Sequence, residues 1–314
     1  MRVSIRSIFV ATAFVVASSL VVAQQAPAPA PLIRENATVK LGAHTFAISD
    51  NNIPLVPNVG IVVGSRATLV IDPGLGRRNG EIVLREVAKV SRNTELYIAS
   101  THFHAEHTTG YLAFPAAPGA RYINSRVQED EFEQGGLQMV QMFSKRSPLT
   151  AEILAGTTRR VADITFDREH TLDLGGVTVR MLLVGPGHTR GDTAFFVEQD
   201  RVLFTGDFVM NNSFVAAGNA ASMKGWLSGF DQLDALKPTT IVPAHGAVGT
   251  GAVIAANRAF MQEINVRATE LKKQGRSIDD VAKMVTTELT AKHPDWPRAN
   301  GIANAARAAF NEAP

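Results

Sequence analysis

Four side chains able to bind a metal crowd into six residues at His102-Phe103-His104-Ala105-Glu106-His107. In extended backbone, residues 102, 104 and 106 project to one side, while a turn beginning there swings His107 towards a second position. One loop could thus serve two adjacent cations. Imidazole and carboxylate suit zinc, with iron or manganese also possible once carboxylates enter the set. Further groups of the same kind recur downstream: His188 in GPGHTRGD, Asp207 in LFTGD and His245 in VPAHG. Of the eight histidines, five fall in these segments, a clustering that scattered surface imidazoles would not produce. His44, His170 and His293 lie outside and read as ordinary surface or turn residues. The chain has no cysteine, which excludes disulfides, thiolate metal sites, iron–sulfur clusters and a cysteine nucleophile. Any metal must therefore be held by histidine and carboxylate.

The elements that must position these groups alternate between short β-rich runs and longer helical patterns, an α/β arrangement. FAIS (46–49), VGIVVG (59–64), ATLVIDPG (67–74) and ELYIAST (95–101) read as strands, the last delivering the chain into His102. VTVRMLLV (177–184), TAFFVE (193–198), RVLFTG (201–206) and TTIVPA (239–244) read the same way, each ending beside a His or Asp. Val83, Val87 and Val90 mark one helix face, and Trp226, Phe230, Leu233 and Leu236 another. Residues 125–165 form an insertion whose Phe132, Met139, Met142 and Phe143 either rim a pocket or simply pack a helix on the sheet. Beyond Gly251 the pattern is helical. Phe260, Ile264 and Leu271 share a face, Ser277 and Asp280 resemble a capping box, and Pro297 is placed to open a last helix carrying Ile302 and Phe310. This extension could finish the outer layer, cover the site or mediate oligomerisation, and the turn His293-Pro294-Asp295-Trp296 could approach the cleft.

HFHAEH, GHTRGD, FTGD and PAHG, in that order and at these intervals, resemble the metal-binding motifs of the metallo-β-lactamase-fold hydrolase superfamily, over roughly residues 36 to 250. The resemblance implies a four-layered αββα sandwich with the active site along the edge where two sheets meet. It also implies that His102, His104 and His188 hold a first zinc, that His107 and His245 hold a second, and that Asp207 bridges the two. Asp72, after the VIDPG strand, matches the family position that fixes a ligand histidine from behind, and Asp192 suits an orienting role in the GHTRGD turn. Glu106 departs from the pattern, which usually has Asp there. Its extra methylene moves the oxygen by about 1 Å or more, so Glu106 is either a ligand of the second ion or, in a one-zinc site, an acid or base only.

Two ions about 3.5–4 Å apart can activate a shared water towards a carbonyl, phosphoryl or sulfuryl centre, with Asp207 or Glu106 returning a proton. The expected reaction is hydrolysis of a small-molecule ester, lactone, β-lactam or sulfate ester. A dedicated β-lactamase is an alternative, although antibiotic-hydrolysing members of the superfamily generally lack a carboxylate at the Asp207 position. A mono-iron oxidoreductase and a metal-dependent binding protein without turnover are further alternatives. Arg190, just after His188, could orient an anionic group or be solvated or structural, and Lys145 and Arg146 read as solvated.

The 314 residues carry 31 Lys+Arg against 29 Asp+Glu, a formal charge of +2, with 45% hydrophobic and 19% charged residues. That composition supports a large core and argues against disorder, and no basic stripe is present that could track nucleic acid. Arg2 and Arg6 precede an apolar run from Ile8 to Ala23 that reads as a signal peptide over 1–23, followed by a Pro/Ala-rich tether over 24–35. An uncleaved anchor is the competing reading. The expected organisation is leader, tether, catalytic domain over 36–250 and helical extension over 251–314. The mature protein is expected in the periplasm or secreted, with no stable membrane span.

Overall fold

The computed structural model describes residues 29–115, 119–218 and 221–314, so the expected leader and the first part of the tether lie outside the described residues. Twelve strands among them form two sheets. The first contains β1 (Thr38–Lys40), β2 (Thr45–Ile48), β3 (Val59–Val63), β4 (Ala67–Ile71), β5 (Glu95–Ala99), β6 (Ala120–Ser125) and β7 (Ile164–Phe166), in chain order across the sheet. Pairing is antiparallel from β1 to β4 and parallel from β4 to β7. The second runs β12-β11-β10-β9-β8, from β8 (Glu169–Asp173), β9 (Thr178–Leu183), β10 (Thr193–Val197), β11 (Val202–Gly206) and β12 (Thr240–Pro243). Only β11 and β12 run parallel there.

Alternation along the strands assigns each side chain to a layer. Leu69, Ile71, Tyr97 and Ala99 of the first sheet face Val179, Met181, Phe195, Val197 and Phe204 of the second, forming the core between the sheets. Val70 and Ile98, one residue out of phase, turn to the other side and pack on Ile82, Val83 and Val87 of α1 (Gly76–Val90). On the far side, Leu182, Ala194, Phe196 and Leu203 meet Trp226, Phe230 and Leu233 of α6 (Met223–Ala235), together with α7 (Ala252–Lys273), α8 (Ile278–Lys292) and α9 (Asn300–Glu312). The layers are thus α, β, β and α. Between β5 and β7 lie the short helices α2 (Ala105–Thr108), α3 (Arg126–Glu131), α4 (Leu137–Ser144) and α5 (Pro148–Ile153), with a π-helical stretch at Phe132–Gly136.

Three expectations need correction. The final helix starts at Asn300, not at Pro297: Arg298 takes a left-handed backbone (φ 71°), and the Pro297 carbonyl is occupied by Phe214 N–H at 3.1 Å and Ser213 Oγ. The end of the stretch read as a mobile tether is docked. Ile33 is buried, its N–H donates to Asn79 Oδ1 at 2.7 Å, and Asn79 Nδ2 donates to Pro31 O at 3.0 Å. His293 is no free surface residue either, because its ring stacks on Trp296 at 4.1 Å and meets Phe214 and Phe260 edge-on. The extension finishes the outer helical layer, and no helix among the described residues is long and apolar enough to cross a membrane.

Trp226 is fully buried between sheet and extension, with Nε1–H donating to Phe208 O at 2.8 Å. Trp226→Ala opens a cavity and orphans that carbonyl, so we predict a loss of about 3–5 kcal/mol in urea unfolding followed by circular dichroism. A loss under about 1 kcal/mol would show that the extension is not part of the cooperative core.

Candidate metal centre

Every expected ligand sits where a strand stops. At the end of β4, Asp72 adopts a left-handed backbone (φ 57°), a conformation that Asp tolerates better than most residues. Beside it, β5 runs through Ser100 and Thr101 into His102. His104 is still extended (φ −63°, ψ 147°), and α2 begins at Ala105. The helical turn alters the expected facing: Glu106 does not join His102 and His104 but groups with His107 and His245. The loop after β9 supplies His188, the end of β11 supplies Asp207, and the end of β12 supplies His245. Gly206, just before Asp207, has φ 58°, and a Cβ there would stand 2.5 Å from Thr101 Oγ1. Only glycine lets β11 approach β5 this closely.

These residues, separated by up to 143 positions in the chain (245 − 102), meet in one place. His102, His104 and His188 form one group, His102, His107 and Asp207 a second, and Glu106, His107 and His245 a third, with the ligand atoms of each within 4.8 Å of one another. His188 Nε2 lies 3.2 Å from His104 Nδ1 and 3.7 Å from Asp207 Oδ2, while Asp207 Oδ1 lies 3.7 Å from His245 Nε2. Asp207 therefore stands between the two histidine sets. All are buried apart from His104, which is half-buried.

The tautomers are set from behind. Asp72 accepts from Thr101 N–H at 2.7 Å, Thr101 Oγ1 at 2.8 Å and His107 Nδ1 at 3.0 Å. With its proton given to Asp72, Thr101 Oγ1 can only accept from His102 Nδ1, 3.1 Å away, so one carboxylate fixes two imidazoles. His188 Nδ1 donates to Ala216 O. That leaves Nε2 of His102, His107 and His188 for the centre, and His245 likewise presents Nε2 to Asp207. His102 Nε2, His107 Nε2, His245 Nδ1, Glu106 Oε2 and Asp207 Oδ1 are buried without a hydrogen-bond partner among the described residues. Orphaned acceptors cost free energy unless something satisfies them, and a set of imidazole and carboxylate donors this dense fits divalent cations.

Charge follows the same layout. Burial, reinforced by the neighbouring rings, drives His102 and His104 well below the usual imidazole range. Burial, with Arg298 adding to it against the pull of Asp207, takes His245 down to about 3. His107 is the exception: burial opposes its charge, but Asp72 overrides it and lifts the ring to about 9. Burial also opposes ionisation of Asp207, yet His245, His188 and His107 hold it below the usual carboxylate range. Glu106 is pushed up, chiefly by burial.

Asp192, read as an orienting residue of this turn, bonds to Thr189 rather than to His188 itself. It accepts from Thr189 N–H at 3.0 Å and from Thr189 Oγ1 at 2.6 Å, closing the turn after His188, and burial raises its carboxyl to about 6. Sequence reasoning missed the clamp that holds this turn against the other. On α3, Gln128 Nε2 donates to Ser100 O, Thr101 O and Thr193 Oγ1, while Glu131 accepts from the N–H groups of Arg190 and Gly191. The first part of the insertion thus ties the His102 loop to the His188 loop. Arg190, for which an anion-orienting and a structural role were both open, pairs with Glu131. Arg146 and Arg298 line the cleft over the cluster; no motif marked them.

A family model described as the metallo-beta-lactamase superfamily matches residues 52–245. The chain is 28% identical over 236 residues to the hydroxyacylglutathione hydrolase of Methylococcus capsulatus, covering 72% of this chain and 76% of that protein. It is 25% identical over 194 residues to the lactamase-like protein aptB of Emericella nidulans, covering 61% and 51%, so it spans about half the length of that fungal relative. Among solved structures, a sec-alkylsulfatase from a Pseudomonas species superposes with a TM-score of 0.65 at 13% identity, over 88% of this chain and 50% of that one. A metallo-beta-lactamase from Pontibacter korlensis superposes at 0.58 and 17%, over 72% and 98%. At these identities the structural likenesses establish the fold.

With His107 protonated below about 9 in the metal-free protein, metal uptake must expel that proton. We predict release of at least about one proton per chain on zinc titration near pH 7.5, read by calorimetry in buffers of different ionisation enthalpy. Asn suits the left-handed backbone at 72, but its amide would turn the His107 tautomer. Asp72→Asn should therefore release fewer protons and weaken the second zinc site about 10- to 100-fold. Unchanged proton release in Asp72→Asn would contradict this assignment.

Proposed function

The chain belongs to the metallo-β-lactamase superfamily, and on that footing we propose that it is a metal-dependent, dinuclear zinc hydrolase acting on acyl ester bonds of small molecules, thioesters included. One observation carries the reading: three interlocking ligand groups share His102 and His107 and turn partnerless donor atoms towards a common centre. His102, His104 and His188 would hold one ion, Glu106, His107 and His245 the other, and Asp207 would lie between them. Cations held there supply Lewis acidity that activates water and polarises the scissile carbonyl.

The chain's own residues supply the rest. Asp72 and Thr101 keep the protons of His107 and His102 on Nδ1, so that Nε2 of each faces the centre. His245, His188 and His107 hold Asp207 as an anion that a cation can take up, whereas burial pushes Glu106 towards its protonated form, so a cation on the Glu106 side would have to displace that proton. Above the cluster opens a cavity of about 420 Å³ in which Leu55, Met139, Met142 and Phe143 offer an apolar surface beside Arg146, Arg298 and Asn300, room for an acyl group with polar neighbours. Thioesters enter because relatives carry such names, among them an atrochrysone carboxyl ACP thioesterase of Aspergillus fumigatus. The sulfate-ester and β-lactam readings draw on neighbours alike only in fold. The leader read over residues 1–23 supports an export reading of this chemistry, and N-terminal sequencing of the mature protein should then begin near Gln24.

The test is hydrolysis of a panel of chromogenic esters, thioesters, lactones, sulfate esters and cephalosporins by the purified protein. Activity on the acyl esters should vanish with a chelator, return with zinc rather than iron, and fall at least about 10³-fold in His102→Ala. Turnover that survives in His102→Ala, or that returns only with iron, would overturn the zinc-hydrolase reading.

A further inference from the structure

His188 and His245 both approach Asp207, yet the residues that hold their loops do not overlap. His188 arrives on the loop after β9, and α3 holds that loop. Ser125 Oγ caps α3 by accepting from Gln128 N–H at 3.2 Å, which places Gln128 and Glu131, three residues apart, on one helix face. Gln128 Nε2 fastens that face to Ser100 O and Thr101 O at 3.1 Å and to Thr193 Oγ1 at 2.9 Å. Glu131 then takes the N–H groups of Arg190 at 3.0 Å and Gly191 at 2.9 Å. A Cβ on Gly191 would stand 2.6 Å from Gln128 Cγ and 2.8 Å from Glu131 Oε2, so glycine is what lets the His188 loop close on the helix.

His245 is held from the other end of the chain, by the connection between β2 and β3. Asn58, immediately before β3, donates its N–H to Ala244 O at 2.6 Å and its Nδ2 to Pro243 O and Gly246 O, each at 2.8 Å. Asp50 accepts from Gly246 N–H at 2.8 Å, and its own N–H donates to Asn58 Oδ1 at 2.8 Å. Backbone groups on both sides of His245 are thus tied to two buried side chains. The tie matters because Nδ1 of His245 has no hydrogen-bond partner among the described residues, whereas Nδ1 of His102, His107 and His188 is held by Thr101, Asp72 and Ala216. A ring without such a bond takes its direction from the backbone that carries it.

We propose that Glu131 is a positioning residue for the first cation, through His188, and that Asp50 and Asn58 are positioning residues for the second, through His245. The proposal rests on the two-cation reading of the cluster and adds that the two affinities are set separately, by residues that touch neither ion. Partners behind a ligand are worth about 10- to 100-fold in metal affinity. Glu131→Gln and Asp50→Asn keep the shape of the side chain but leave one backbone N–H without its acceptor, so the ligand loop shifts while the fold remains. A merely structural role would act differently: it would lower the stability of the metal-free chain and weaken both ions alike.

The probe is cadmium-113 bound to the full chain and read by NMR, in which a site with three imidazoles and a site with two imidazoles and Glu106 give separate resonances. His188→Ala and His245→Ala assign them. Titrated with a competing chelator, Glu131→Gln should release the three-imidazole cadmium about 10- to 100-fold more readily than the wild type and keep the other. Asp50→Asn should do the reverse. Glu131→Ala and Asn58→Ala repeat the comparison with the contacts removed outright, and circular dichroism of the metal-free chains shows which variants are folded. Parallel loss of both resonances in the folded variants, or no loss in any of them, would overturn the proposal and leave the two-cation reading standing. A single resonance in the wild type would overturn the two-cation reading and the proposal with it.

Discussion

The centre depends on a carboxylate that touches no solvent. Asp72, 1% exposed, takes three hydrogen bonds from Thr101 and His107, and these set the ends of two neighbouring strands. The parallel pairing of β4 with β5, with Ile71 opposite Ala99, brings position 72 level with position 100 and within reach of Thr101. A one-residue slip would reverse every side chain of one strand and take the carboxylate away from the threonine. The sheet register is thus a precondition for the tautomers of His102 and His107, and the tautomers decide which nitrogen lone pairs face inwards.

What those lone pairs face is a place that would be unfavourable to build for its own sake. Five imidazoles and two carboxylates are packed together with several polar atoms lacking protein partners, and the rings of His102, His104 and His188 come within 4.6–4.7 Å of one another. Burial keeps most of the rings neutral, the protonation state in which imidazole binds a metal. The free energy of assembling the cluster is offset elsewhere, by the apolar core between the sheets and by the helical layers outside them. Cation binding would then add to the stability of the folded chain by mass action.

Much of this was legible in the sequence because it is local. HFHAEH, GHTRGD, FTGD and PAHG each follow a strand, and strand periodicity is the signal a sequence shows best. Four strands were not read from the sequence: β1, β7 and β8 are edges, and β1 and β7 are only three residues long, while β6, inside the first sheet, alternates too little in ARYINS to show a strand period. The α2 turn that moves Glu106 to the side of His107 was invisible in a pattern read as extended. The clamp of Gln128 and Glu131 arises from contacts across 27 to 65 residues, and no spacing rule reports such distances. The docked end of the tether was hidden for a related reason: Pro and Ala composition describes a free chain, whereas Asn79, far along the sequence, supplies the hydrogen bonds that hold it.

The central claim is that one pocket grips two cations through residues from four separate strand ends. Diffraction from crystals of the zinc-loaded protein, collected on either side of the zinc absorption edge, tests it most directly. Two anomalous peaks about 3.5–4 Å apart are expected, one bounded by His102, His104 and His188, the other by Glu106, His107 and His245, with Asp207 between them. A single peak with Glu106 turned away, or no peak at this cluster, would contradict it.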